Sequence, residues 1–172
     1  MKYEAVSMSR AKPAVLFVCL GNICRSPLAE AAFAAEAKRI GLDVEIDSAG
    51  TGDWHVGRPP DPRAIAVAIR NGADIPGLRA RQVGAEDFHC FDHIVALDRQ
   101  NLADLLRMRP RDETATVSLL LDHVAGRSGQ SVTDPYYGQD IHFDQAWADV
   151  VVGAQALAWN LVAARDGAEP GE

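Results

Sequence analysis

A single α/β domain, with a four-stranded parallel sheet and helices on both faces, is the fold class this sequence predicts. Three observations point to it. Apolar, β-branched runs alternate along the chain with alanine-rich stretches of helical period. No repeat or linker interrupts the 172 residues, which are 48% hydrophobic and 24% charged and suffice for one core. The first apolar run also passes through a short loop straight into a helix, the opening of a βα unit.

Each element has its own signal. Residues 15–18 form a buried strand that ends at Cys19. Ser26 suits an N-cap and Pro27 the first helical position, giving a helix over 27–40. That helix places Leu28, Ala32 and Ala35 on one stripe, with Phe33, Ala37 and Ile40 on the next, and Gly41 fits its C-terminal cap. Val44 and Ile46 alternate in a second strand over 43–48. A Gly- and Pro-rich loop, 49–60, carries a lone Trp54. Asp61-Pro62 caps a helix that runs to about 71–72 with Ile65, Ala68 and Ile69 inward. After an irregular stretch over 73–84 come a strand over 91–97, a helix over 101–108 and a fourth strand over 115–121. A polar loop, 122–142, holds Asp134-Pro135-Tyr136-Tyr137-Gly138. The closing helix, 143–164, aligns Trp147, Val150, Val151, Ala154, Ala158 and Leu161.

A net charge of −7 argues against a nucleic-acid-binding surface, which needs a basic face. The apolar stretches are too short to span a bilayer, so no membrane association is expected. A cleaved signal would remove the Cys19 segment, so none is read. Three cysteines make no disulfide framework, and a reducing cytoplasm is the expected location. In a strand His89 and His93 would share a face while Cys90 points away, so neither a metal nor a cofactor is expected. His55, His123 and His142 are scattered and read as surface residues.

Chemistry concentrates between the first strand and the first helix. Ligands in parallel sheets bind beyond the carboxyl ends of strands, where Leu20, Gly21, Asn22, Ile23 and Cys24 lie. Gly21 and Asn22 tolerate left-handed backbone, so successive N–H groups can turn inward as an anion-binding nest at the positive end of a helix. Cys19 enters this concavity and Arg25 leaves it. The thiolate is the nucleophilic form of cysteine. Inward amides, Arg25, the helix dipole and the Ser26 hydroxyl all favour negative charge there. Arg25 can also grip two phosphoryl oxygens with its planar fork. The loop therefore reads as a nucleophile beneath a bound phosphate.

The run Val-Cys-Leu-Gly-Asn-Ile-Cys-Arg-Ser-Pro-Leu-Ala-Glu (18–30) resembles the active-site segment of low-molecular-weight protein tyrosine phosphatases. Asp47-Ser48-Ala49-Gly50-Thr51, Gly57-Arg58-Pro59-Pro60-Asp61, Ala80-Arg81-Gln82, Asp98 with Asn101-Leu102, and the Asp134 segment follow in that family's order. The resemblance covers 13–165, leaving 1–12 as a flexible N-terminal extension and 166–172 as a C-terminal tail.

The resemblance implies hydrolysis of phosphotyrosine in a protein substrate through a phosphocysteine, without a cofactor. Asp134 would serve as acid and then base, with Trp54 and Tyr136 as walls for the aromatic ring. It also implies Ser48 as a partner of Asn22, a reversible disulfide between Cys19 and Cys24, and Tyr137 as a phosphorylation site. Asn22 and Ser26 are expected to brace the loop. Some members carry a histidine before the Ala-Arg-Gln segment where this chain has Leu78 and Arg79, so one strut of that network needs a substitute.

Other readings stand beside this one. An arginine-phosphate phosphatase shares the loop but has threonine where Ile23 stands. A thioredoxin-linked arsenate reductase needs further cysteines, and Cys90 is alone in its segment. A non-catalytic phosphate-binding module would need neither Cys19 nor Asp134. Oligomeric state is left open by the sequence.

Overall fold

A computed structural model describes residues 12–167. The expected extension and tail fall almost wholly outside that range. Strands β1 (Ala14–Cys19), β2 (Glu45–Gly50), β3 (His93–Ala96) and β4 (Thr116–Leu119) form one parallel sheet in the order β2-β1-β3-β4. The helices are α1 (Arg25–Ile40), α2 (Pro62–Arg70), a single turn α3 (Asp87–Cys90), α4 (Arg99–Met108) and α5 (Asp140–Arg165).

The central strand β1 is buried along its whole length and serves two cores. Val15, Phe17 and Cys19 point to the face covered by α1, α2 and α5. Ala14, Leu16 and Val18 point to the face covered by α3 and α4. The strand's twofold period makes this division. Phe17 meets Phe33 of α1 at 5.4 Å between ring centroids, and truncating either ring to alanine would cost about 3–5 kcal/mol.

Several expectations are corrected. Helix α1 begins at Arg25 with Cys24 in the cap position, and Ser26 is not a cap because its hydroxyl is engaged with Cys19 and Asn22. Gly41, at φ 73°, does close the helix, letting Leu42 N–H reach the Ala37 carbonyl. Ile69 is exposed rather than inward, with Ala64, Val67 and Ala68 making the packed face of α2. The third strand starts at His93 rather than at 91, and Asp87–Cys90 before it is helical, which removes the premise that His89 and His93 share a strand face. The fourth strand gives way to a 3-10 turn, Leu120–His123.

Helix α5 starts at Asp140, three residues earlier than periodicity suggests, where Gln139 and His142 cap one another reciprocally. The expectation that no stretch is long enough for a bilayer also needs amendment. This 26-residue helix, with a window of mean hydropathy 1.2, meets that test by length and composition. Its buried side chains, from Phe143 to Leu161, are packed within the protein, against α1, α2 and the 3-10 turn.

Candidate active site

The site is built on the end of β1. Because Cys19 continues the Val15–Phe17 face, its side chain is directed to the side where α1 begins, and its Sγ lies 3.0 Å from Ser26 Oγ. Between them the backbone makes one left-handed step, at Asn22 (φ 57°). The outward carbonyls of the loop are tied down. Thr51 and Gly52 N–H donate to the carbonyls of Cys19 and Leu20, and Asp61 N–H donates to that of Ile23. Among the described residues, the N–H groups of 20–24 donate to no protein acceptor. Carbonyls out and N–H groups unspent is the arrangement that an anion completes.

Beneath the loop lies a polar network. Asn22 Nδ2 donates to Ser26 Oγ (2.8 Å) and Ser48 Oγ (3.0 Å). Since Ser26 Oγ accepts from Asn22, its own proton can go to a Cys19 thiolate at 3.0 Å, nearer than the alternative acceptor, the Ala49 carbonyl at 3.5 Å. The Asn22 carbonyl accepts from Arg81 N–H at 3.0 Å. Arg81 is itself anchored by its guanidinium to Asp47 and Asp87. A main-chain amide of the Ala80-Arg81-Gln82 segment thus braces the loop. Gly50 lets this segment and the loop close on each other, since a Cβ there would lie 2.7 Å from the Leu20 carbonyl oxygen.

Arg25 is 2% exposed. Its Nη1 donates to Asp98 Oδ2 (2.6 Å) and to the Val132 carbonyl (3.0 Å), and its Nη2 lies 3.6 Å from Asp134 Oδ2. Burial opposes the charge, but a Cys19 thiolate, Asp98 and Asp134 outweigh it and hold the guanidinium above its ordinary pKa. Asp98 divides its oxygens, Oδ1 capping α4 at Asn101 N–H and Oδ2 aiming Arg25. Burial pushes the Cys24 thiol well above its usual range, and Asp61, Cys19 and Asp134 push it further, so Cys24 stays protonated. None of Cys19, Cys24 and Cys90 is in a disulfide, and Cys90 is buried in the other core.

A cleft of about 410 Å³ opens over the loop, lined by Cys19, Leu20, Gly21, Ile23, Cys24, Arg25, Trp54, Asp134, Tyr136, Tyr137 and His55. Every sequence-derived site residue except Asn22 and Ser26 faces it. Those two lie below, as braces. Tyr137 stands 94% exposed at the mouth. His55 is no surface residue of the scattered kind. It is half-buried, with its ring 6.3 Å from that of Tyr136.

Sequence reasoning missed Arg63 altogether. From the first turn of α2 it grips its own N-cap, Asp61 (3.0 Å), and donates to the Tyr136 (2.9 Å) and Gly138 (3.2 Å) carbonyls. It also stacks over Phe143 at 4.5 Å. The acid-bearing segment is therefore moored twice. Val132 is held by Arg25 and by the Leu97 carbonyl, and residues 136–138 by Arg63, with Asp134 between. Asp134 closes its own turn by accepting from Tyr136 N–H.

Comparison with known proteins agrees with this geometry. The profile of the family "Low molecular weight phosphotyrosine protein phosphatase" matches residues 14–166. A protein of that description from Schizosaccharomyces pombe is 44% identical over 140 residues, covering 80% of this chain and 89% of the relative. Bacillus subtilis YfkJ, a low molecular weight protein-tyrosine-phosphatase, is 45% identical over 125 residues, covering 72% and 80%. The crystal structure of YfkJ superposes with a TM-score of 0.82 at 36% identity, covering 95% of this chain and 100% of that one.

Proposed function

The chain belongs to the low molecular weight phosphotyrosine protein phosphatase family, and from that premise we propose that Cys19, Arg25 and Asp134 carry its reaction. The activity is hydrolysis of phosphoric monoesters on tyrosine, and the substrates are phosphotyrosine proteins.

In the first step Cys19 Sγ attacks phosphorus, forming the P–S bond as the tyrosyl P–O bond breaks. Asp134 gives its proton to the departing phenolate oxygen. The loop N–H groups and Arg25 take up the charge on the three equatorial oxygens. In the second step Asp134 accepts a proton from water, the water oxygen bonds to phosphorus, and the P–S bond breaks to release phosphate and thiolate. Trp54 and Tyr136 flank the aromatic ring, and Ser26 donates to the thiolate that leaves.

One observation supports this assignment above others. A nucleophile, a guanidinium and one carboxylate face the same cleft, and among the described residues Asp134 is the only carboxylate lining it. Asp98 is committed to Arg25 and Asn101, and Asp61 to Arg63. Asp134 is 39% exposed, which suits a group that must meet water. A reducing cytoplasm is the compartment in which we place such a thiol.

The test is turnover of para-nitrophenyl phosphate. Cys19→Ser should abolish it while phosphate still binds, and Asp134→Asn should slow it most for poor leaving groups. Full activity of the serine variant would end the nucleophile assignment. Preference for phosphoarginine over phosphotyrosine would end the wall assignment for Trp54 and Tyr136.

A further inference from the structure

Behind Trp54 lies a second groove of about 330 Å³. We infer that it receives an apolar side chain of the substrate polypeptide, within two residues of the phosphotyrosine. The inference rests on the neighbouring cleft taking the phosphotyrosine itself.

The two concavities adjoin, because Leu20 and Trp54 line both. Trp54 is the partition. Its indole packs against Gly52, where a Cβ would come within 1.9 Å of Cζ3, which holds the ring in place between the two spaces. Trp54 thus borders the phosphotyrosine cleft and the groove alike. An extended peptide advances about 3.3 Å per residue, so the side chain one or two positions away crosses a wall one ring thick. A free aryl phosphate ends at its ring and cannot.

The chemistry of the groove selects the occupant. Trp54, Leu20 and Met108 are 67%, 41% and 36% exposed, three large apolar groups around one depression. The charges beside them, Arg107 and Asp104, are both on α4 and are paired with each other. They leave no net charge to draw an acidic or basic side chain. A leucine or methionine of the substrate would bury enough apolar surface here for about a tenfold gain in kcat/KM.

The experiment measures kcat/KM on short phosphotyrosine peptides in a Gly/Ser background, with leucine moved through the two positions on either side. Para-nitrophenyl phosphate is the control. One leucine position should raise kcat/KM about tenfold. Met108→Asp should erase that gain and leave the aryl phosphate rate unchanged. Met108→Ala, which keeps the helix and removes part of the floor, should give an intermediate gain and decides the matter if the aspartate variant fails to fold. Equal rates for all leucine positions, or a gain that stays undiminished in the Met108 variants, would overturn the inference. Failure of the wild type to turn over the aryl phosphate would instead sink the assignment of the cleft, and this inference with it.

Discussion

Replacing Arg63 with alanine tests whether the acid loop is held in register from outside the catalytic cleft. The substitution deletes charged-donor hydrogen bonds to the Tyr136 and Gly138 carbonyls and the stack on Phe143. Such bonds are worth about 1.5–3 kcal/mol when buried. The Arg63 side chain is about one-third exposed, so we take roughly 1 kcal/mol for each. A loss of about 2 kcal/mol in mooring lowers the equilibrium constant for Asp134 alignment by about thirtyfold, and where alignment is marginal the aligned fraction falls with it. The Val132 anchor, on the other side, is untouched.

The assay is kcat across a series of aryl phosphates of rising leaving-group pKa, well below the melting temperature of the variant. Phenyl phosphate, whose leaving group needs the proton, should slow by about thirtyfold, and para-nitrophenyl phosphate by only a few-fold. Arg63→Lys retains the charge but not the fork, and should fall between the two. A drop of the same size for every leaving group, or none at all, would refute the mooring argument.

Other expectations follow from the same geometry. Asn22→Ala strands Ser48 Oγ and the Arg81 N–H and places alanine at φ 57°, so denaturant unfolding should show a loss of about 3 kcal/mol. Asn22→Gly relieves the backbone part alone and should recover about 1 kcal/mol of that loss. Gly52→Ala drives the indole of Trp54 off its seat and should raise KM for aryl phosphates severalfold with little change in melting temperature. Burial pushes the imidazoles of His93 and His123 below their ordinary pKa, and for His123 the neighbouring His93 adds to it. Asp92 beside His93 and Asp122 beside His123 oppose the shift without cancelling it. The unfolded chain then binds protons first. Stability is fully present above the unfolded value near 6.5 and declines as pH falls from there to the folded-state values below it. Thermal melts between about pH 7.5 and 5 should show this decline, flattened in His123→Gln.

What could be read from the chain alone was what is local in it. The strand, loop and helix of residues 14–40 lie in one stretch, so Cys19, Asn22 and Arg25 were legible from spacing and turn chemistry. The cap assigned to Ser26 failed because its hydroxyl turns to the Cys19 thiol and Asn22, and the helix already begins at Arg25. Ile69 failed because the register of α2 is set by the small residues Ala64 and Ala68 against its neighbours, which periodicity does not rank above isoleucine. Arg63 was invisible for a different reason. Its loop partners lie 73 and 75 residues away, and no local pattern announces such a pairing. His55 likewise became part of the site only when the β2–α2 loop folded over the nest.

The double duty of Asp98 has a consequence for how this protein can vary. One carboxyl group begins a helix and points a guanidinium, so the two tasks cannot drift apart. Asparagine would preserve the start of the helix while surrendering the ionic grip, and glutamate would overshoot both. Any slackening at the front of α4 is therefore transmitted to the Arg25 guanidinium, and a lineage that tunes one inherits a change in the other.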